Sequence, residues 1–269
     1  MADTPKIVIG MYSGRTIETY SRLNYGNMVE RLVRIGQYAG SMQRQSYRID
    51  SNRNFLIDTF LTKYPDATHL LIIDDDMQHP PELPEILASR DKPIITGLYF
   101  RRDYDGHYYP VAYRNAGKEA DTRPGHGNTV NDHFVPLTPQ VMEFLAKGKV
   151  PATNKPLVFY EDNNKTPLDA TKALLPIDGG GFGCLMLRRD ALEQMEPPYL
   201  IDEPGLNGDL VFYRNARAIG IEIYADLSVI CSHSKDDEFI GIEAFSRHCW
   251  DIDKQMREEF TYSEEGIRV

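Results

Sequence analysis

Three consecutive aspartates directly follow an apolar segment near position 70 of the chain. Residues 70–73 are all Leu or Ile, which predicts a strand buried on both faces, and Asp74, Asp75 and Asp76 come next. Open α/β sheets bind their ligands at the carboxyl ends of the strands, where these acids would lie. Because adjacent carboxylates repel one another and are costly to desolvate, a bound cation explains the cluster best. The alternative is a solvated acidic turn.

The carboxylate oxygens suggest which cation and which substrate these acids would serve. Hard oxygen ligands suit Mg²⁺ or Mn²⁺, and Mg²⁺ usually reaches a protein together with substrate phosphates. Residues i and i+2 of an extended segment face the same side, so Asp74 and Asp76 would converge while Asp75 points away. His69 and His79 flank the triplet and are expected on the surface or at a helix start. The segment therefore predicts a metal-dependent enzyme for a phosphorylated or nucleotide substrate.

Three later segments carry further candidate groups. The glycine-rich run 179–183 would let the backbone approach a ligand closely, although a flexible turn between strands explains it equally well. Asn207 can cap a helix whose first turn holds Asp209, and the helix dipole there favours the ionised carboxylate that a general base requires. An acid at that position can also serve only to stabilise the helix. His233 follows a short apolar segment, where its imidazole could bind Mn²⁺ or be purely structural.

The elements that must position these residues alternate between strands and helices. Strands are predicted over residues 6–11, 70–73, 93–100, 184–187, 221–225 and 229–233, and helices over 20–38, 55–64, 189–195, 207–220 and 243–260, with another starting near 80. This alternation predicts an α/β fold with a mainly parallel, doubly wound sheet. Residues 101–176 are rich in Tyr, Pro, Asn and Gly, which predicts a smaller antiparallel region with a loop at 117–132.

Composition narrows the class of protein further. The chain has 269 residues, enough for one large α/β domain, and no apolar stretch approaches the ~18 residues of a membrane span. Its net charge of −10 argues against a general nucleic-acid-binding protein, so the pairs Arg101-Arg102 and Arg188-Arg189 are expected to be solvated surface. Three cysteines at no metal-binding spacing, and an amino terminus unlike a signal peptide, predict a reducing, cytoplasmic location.

The order of these pieces resembles the nucleotide-sugar glycosyltransferases with the GT-A fold, especially the large inverting group called family two. Three signatures carry the resemblance: the acid-x-acid (DXD) triplet, the glycine-rich run leading into a strand and a basic helix start over 179–189, and Asp209 opening a helix that ends at Gly220 before His233. The chain departs from the family at Gly208, where a Glu is usual. A weaker resemblance connects it to glycosyltransferase-like proteins of bacteriophages.

The resemblance covers residues 5–100 and 174–235 and implies a single GT-A-like catalytic domain over 1–269. Within it, residues 5–100 would form the nucleotide-binding half, 101–235 the acceptor-side half and 236–269 a C-terminal helical extension. The implied reaction moves a sugar from a nucleoside-diphosphate sugar, a UDP-sugar above all, to an acceptor hydroxyl. A bacteriophage protein would act in the host cytoplasm.

The resemblance also implies roles for individual residues. Asp76 would bind Mn²⁺ or Mg²⁺ with His233 as a further ligand, while Asp74 would contact the metal or the ribose. Asp209 would be the general base of an inverting reaction. The remaining contacts to the donor would come from both halves of the chain: Tyr12, Ser13, Arg15, Arg53, Asp74, Asp75, Gly180 and Gly181.

Two other classes of protein stay open. A nucleotidyltransferase on a similar sheet would use two or three acids to hold two metals, and a non-catalytic protein could bind sugar or metal on the same scaffold. The pairing of Asp209 with His233 favours sugar transfer, because a two-metal site would need further carboxylates. The acceptor, whether a modified DNA base, a protein or a glycan, and the oligomeric state stay open.

Overall fold

A mixed β-sheet forms the centre of the computed structural model, which describes residues 4–13, 19–46, 48–102, 106–120, 130–147, 173–235 and 238–251. In chain order the elements are β1 (Ile7–Ser13), α1 (Thr19–Arg34), β2 (Tyr38–Gln45), α2 (Ile49–Lys63), β3 (His69–Asp74), β4 (Met77–Gln78), α3 (Leu83–Ser89), β5 (Ile94–Leu98), β6 (Phe100–Arg102), β7 (Tyr108–Pro110), β8 (Ala112–Ala120), β9 (Val130–Pro136), α4 (Thr138–Lys147), β10 (Leu174–Pro176), β11 (Gly179–Gly180), β12 (Cys184–Arg188), α5 (Arg189–Leu192), α6 (Gly208–Ala218), β13 (Ile223–Ile230), β14 (Ser232–Lys235), β15 (Glu238–Ile240) and α7 (242–251).

The central sheet has the strand order β10-β13-β5-β12-β3-β1-β2. β2, β1, β3, β5 and β13 run in one direction, whereas β12, inserted between β3 and β5, and β10 at the edge run against them. Parallel neighbours need a crossover connection, and α1 between β1 and β2 and α2 between β2 and β3 supply it. The prediction of a mainly parallel sheet is confirmed.

Helices cover both faces of this sheet, because successive side chains of a buried strand point to opposite faces. Leu70 and Ile72 of β3 lie in a core that includes residues of α2, α5 and α6. Leu71 and Ile73 lie in a second core with residues of α1 and α3. All four side chains are at most 2% exposed, so the apolar segment is a strand buried on both faces, and the doubly wound prediction is confirmed.

Three smaller antiparallel sheets, β11-β8-β9, β15-β14-β4 and β6-β7, flank the central one, which confirms the predicted antiparallel region. The loop predicted at 117–132 is wrong at both ends, since β8 continues to Ala120 and β9 begins at Val130. Cross-strand backbone pairing, such as that of Lys118 with Asp132, extends these strands without an alternating apolar pattern. Residues 121–129 lie outside the described residues.

Other element boundaries also differ from the sequence-based expectation. α1 ends at Arg34 instead of reaching Tyr38, because Gly36 has a left-handed φ of 71° and the chain then enters β2. α2 begins at Ile49, six residues before the apolar spacing that predicted it. The strand-like segment 156–160 and the end of the C-terminal helix beyond 251 lie outside the described residues. In the described part of the chain, no helix is both long and apolar enough to span a membrane.

Candidate functional site

A cleft of about 880 Å³ opens where β1 and β3 end, at the carboxyl edge of the parallel strands. The acids of both halves of the chain meet in it: Asp74 ends β3, Asp76 lies two residues later, and Asp209 lies in the first turn of α6. His233, from β14, lines the same cleft. The structure therefore brings together the groups that the sequence predicted to act together from distant segments.

Arg53, in α2, lies at the centre of these acids and is only 4% exposed. Its Nη1 forms an ion pair with Asp209, and its Nη2 donates to Tyr12 Oη at 3.0 Å and to Asp74 Oδ2 at 3.3 Å. The guanidinium carbon also lies 4.9 Å from the ring centroid of Tyr12 and 4.7 Å from that of Phe182. One arginine thus connects an acid of the first half of the chain to an acid of the second.

Burial affects the ionisation of both acids that Arg53 contacts. Burial raises the pKa of Asp74 to about 7; the Arg53 charge opposes this rise, and the neighbouring Asp76 adds to it. Burial also raises the pKa of Asp209, again against the lowering effect of Arg53. A carboxyl group whose pKa lies near neutrality can take up or release a proton under ordinary conditions, which suits acid–base chemistry.

Asp76 and His233 form a second pair at the other side of the cleft. His233 Nε2 lies 3.1 Å from Asp76 Oδ2, while Asp76 Oδ1 and His233 Nδ1 are buried with no hydrogen-bond partner among the described residues. Such unpartnered oxygen and imidazole atoms are suitable ligands for Mn²⁺, so these two residues fit a cation. Across the described ranges, no three His, Cys, Asp or Glu side chains are grouped closely enough to hold a metal. Asp74, the third acid of the site, is paired with Arg53 at 3.3 Å.

The glycine-rich run borders the cleft with Gly180 and Gly181. A Cβ on Gly181 would overlap the Tyr99 hydroxyl, and the Gly181 carbonyl accepts a hydrogen bond from Tyr213 Oη at 2.9 Å. Gly183 accepts a hydrogen bond from His79 Nε2 at 2.8 Å through its carbonyl oxygen. The run is therefore a packed segment held by buried side chains, and the flexible-turn alternative does not describe it.

Several sequence-predicted residues lie elsewhere. Ser13 is buried at the end of β1, and neither it nor Asp75 is among the described residues that line the cleft. Arg15 lies outside the described residues.

Some residues of the site gave no signal in the sequence. Tyr99 and Asp202 line the cleft, although neither belongs to a motif. The expectation that His69 and His79 lie on the surface or at a helix start is wrong: both are 6% exposed, His69 begins β3, and α3 begins only at Leu83. Burial lowers the pKa of His79 to about 4, which keeps its imidazole neutral beside Gly183. The burial and placement of these side chains depend on packing between distant segments of the chain, which the spacing of residues in the sequence does not predict.

No protein-family model matches the chain, and no curated protein matches it. Among solved structures it is similar to A197 from STIV, at 13% identity, a TM-score of 0.50, and coverage of 88% of this chain and 91% of that one. A glycosyltransferase involved in the glycosylation of the major capsid of PBCV-1 is 14% identical with a TM-score of 0.30, over 72% and 69% of the two chains. GalNAc-T7 with UDP, GalNAc and Mn²⁺ is 13% identical with a TM-score of 0.40, over 87% and 44%. Similarity at these identities describes the fold alone.

Proposed function

We propose that the chain is a metal-dependent glycosyltransferase that moves a sugar from a nucleoside-diphosphate sugar, a UDP-sugar first of all, to an acceptor hydroxyl. The observation that carries this proposal is the meeting, in one cleft, of the acid-x-acid segment with Asp209 and His233. His233 and Asp76 are in contact although 157 positions separate them in the chain. Two of the three signatures of the resemblance to GT-A glycosyltransferases, the acid-x-acid triplet and the Asp209 to His233 segment, supply these groups.

Asp76 and His233 are the proposed protein ligands of Mn²⁺ or Mg²⁺. The support is their adjacency, with His233 Nε2 at 3.1 Å from Asp76 Oδ2, and the unpartnered buried oxygen Asp76 Oδ1. When bound, the cation would neutralise the negative charge that develops on the departing nucleoside diphosphate. Asp74 stays a proposed contact to the metal or the ribose, and it would have to exchange Arg53 for the cation to become a ligand.

Asp209 is the proposed general base. In a single displacement, its carboxylate would take the proton of the acceptor hydroxyl while the acceptor oxygen bonds to the anomeric carbon and the bond to the diphosphate oxygen breaks, which inverts the configuration. Two observations support the role: Asp209 lines the cleft in the first turn of α6, and burial raises its pKa. The Asn207 side chain caps this helix by accepting from the Leu210 amide at 3.0 Å, which fixes the turn that presents the carboxylate.

The division of labour between the two halves of the chain is likewise a proposal. Tyr12 at the end of β1 and the segment containing Gly180 and Gly181 line the cleft and are proposed to contact the donor. Residues 5–100 would then bind the nucleotide, residues 101–235 would form the acceptor side, and residues 236–269 would extend the domain.

Calorimetry with a panel of nucleoside diphosphates and nucleotide sugars, with Mn²⁺ present, tests the class of the enzyme. The wild type is expected to bind one nucleotide and to release the nucleoside diphosphate from its sugar donor. Asp209→Asn is expected to keep that nucleotide affinity within about threefold while turnover falls about 100-fold or more, as for the loss of a general base. Asp66→Asn, a change of the same type at an exposed position, serves as the control. Release of pyrophosphate would instead identify a nucleotidyltransferase, and binding of no nucleotide would refute the proposal.

A further inference from the structure

Arg53 has contacts that give it a different role from the donor contact that the sequence suggests. We infer that Arg53 is a positioning residue: it holds Asp209 and Asp74 in fixed places and does not bind the donor itself. This inference rests on the proposed function, in which Asp209 is the base. It deepens that proposal by naming the group that orients the base.

Three of the five N–H groups of the guanidinium have partners within the protein. Nη1 is paired with Asp209, and Nη2 is shared between Tyr12 Oη and Asp74. Nε is buried and has no hydrogen-bond partner among the described residues. The five N–H donors of a guanidinium lie in one fixed plane, so turning this group towards a diphosphate would disturb the contacts that Nη1 and Nη2 already make.

The surroundings of the guanidinium also fix its position. The rings of Tyr12 and Phe182 both lie within 5 Å of the guanidinium carbon, measured to the ring centroids, and the side chain is 5% exposed. Stacking on aromatic rings restricts the plane of an arginine, and this plane sets the direction of its N–H groups. The two rings therefore hold Arg53, and Arg53 in turn holds the Asp209 carboxylate.

Arg53 also joins parts of the chain that backbone pairing leaves separate. Asp209 opens α6, whereas Asp74 ends β3, and 156 positions separate Arg53 from Asp209. A planar guanidinium between two carboxylates fixes their separation more rigidly than an ammonium, whose three donors can rotate. The separation of the proposed base from the donor side of the cleft thus depends on this one residue.

The test separates positioning from nucleotide binding by measuring the two independently. Arg53→Lys keeps the charge but can reach only one of the two acids in good geometry, and Arg53→Gln removes the charge. For each folded variant, UDP affinity with Mn²⁺ is measured by calorimetry, and kcat and KM are measured with the sugar donor that the wild type uses. Arg44→Lys is the matched control, because Arg44 also stacks on an aromatic ring, Phe55 at 4.4 Å, but does not line the cleft.

If Arg53 is a positioning residue, Arg53→Lys should leave the UDP affinity and the donor KM within about threefold of wild type. The kcat should fall at least about tenfold, because misplacing a catalytic group lowers turnover. The kcat of Arg53→Gln is expected to fall further than that of Arg53→Lys, because the lysine keeps the positive charge and so part of the turnover. A loss of UDP affinity that matches the loss of kcat/KM, or an unchanged kcat in Arg53→Lys, would overturn the inference. If the wild type itself binds no nucleotide, the proposed function fails instead, and this result is visible before any variant is made.

Discussion

His233 Nε2 lies 3.1 Å from Asp76 Oδ2 because two short strands bring their segments together. β14 pairs with β4 in an antiparallel register that places His233 opposite Met77, and the Ser234 amide donates to the Asp76 carbonyl at 2.8 Å. The backbone of the acid-x-acid segment is thus bonded directly to the backbone that carries the histidine. The geometry of this pair is set by main-chain pairing before any ligand arrives.

Removing either member of this pair should abolish cation binding. Asp76→Asn and His233→Ala are each expected to weaken Mn²⁺ affinity at least about 100-fold, beyond the 10–100-fold typical of residues that only orient a metal ligand. Paramagnetic resonance of free Mn²⁺ in titrations of the protein measures this affinity without nucleotide or activity. Asp66→Asn should bind Mn²⁺ as the wild type does. Unchanged affinity in both site variants would rule out the pair as the metal site.

Asp74 should make the stability of the fold depend on pH near neutrality. Burial raises its pKa from 3.8 to about 7, so the folded protein binds a proton that the unfolded chain releases, and stability is lost as the pH rises from about 4 through about 7. Each pKa unit of such a shift corresponds to about 1.4 kcal/mol. Asp74→Asn mimics the neutral acid and should therefore stabilise the protein relative to wild type more at pH 8 than at pH 5.

Thermal unfolding of wild type and Asp74→Asn across pH 5–8 measures this difference. Asp50→Asn, at the start of α2, changes the net charge by the same amount at a group that also lines the cleft. The prediction is contradicted if the stability difference between Asp74→Asn and wild type stays constant over this range.

Gly181 should tolerate no side chain. A Cβ there would overlap the Tyr99 hydroxyl and lie 3.1 Å from Val111 Cγ1, so Gly181→Ala is expected to lower the free energy of unfolding by about 1–3 kcal/mol. Removing the hydroxyl with Tyr99→Phe should restore part of this loss in the double variant. Gly26→Ala in α1 meets no atom within 4 Å and should stabilise the protein by up to about 1 kcal/mol. Denaturant unfolding of the wild type, Gly181→Ala, Tyr99→Phe, the double variant and Gly26→Ala tests this. If the losses of unfolding free energy of the two single variants simply add in the double variant, the proposed overlap is excluded.

Arg189 should contribute to the stability of the fold but not to nucleotide binding in the cleft. The sequence suggested a solvated arginine, but its side chain is 17% exposed and donates to four backbone carbonyls at and beyond the end of α2, those of Phe60, Leu61, Tyr64 and Ala67. Arg189→Ala leaves these acceptors without their charged donor and is expected to cost about 2–4 kcal/mol of unfolding free energy.

The matched control for this prediction is Arg34→Ala. Arg34 is 68% exposed and forms an ion pair with the exposed Glu30, so its removal should change stability by less than about 0.5 kcal/mol. Chemical denaturation measures both variants, and calorimetry should find the same nucleotide affinity in each as in wild type. A small loss of stability in Arg189→Ala would mean that water replaces the arginine at these carbonyls.

The α/β class and the position of the acids could be predicted because both are local properties of the chain. The run of apolar residues before Asp74 is long enough for a buried strand, and the acids must then lie at its end. Asn207 and Gly220 likewise bracket α6 through capping and a left-handed φ, which depend only on neighbouring residues. Such signals involve only a few neighbouring residues, so they can be recognised in the sequence alone.

The contacts that complete the site depended on the tertiary structure. Neither the antiparallel insertion of β12 beside β3 nor the ion pair of Arg53 with Asp209 follows from any local pattern. The family resemblance had implied only a donor contact for this arginine. These contacts join residues more than 100 positions apart, and only the order of strands in the sheet decides which distant side chains meet. The sequence by itself therefore determined which groups could do chemistry. The packing of the sheet determined which of these groups lie together in the cleft, and that Arg53 contacts both Asp74 and Asp209.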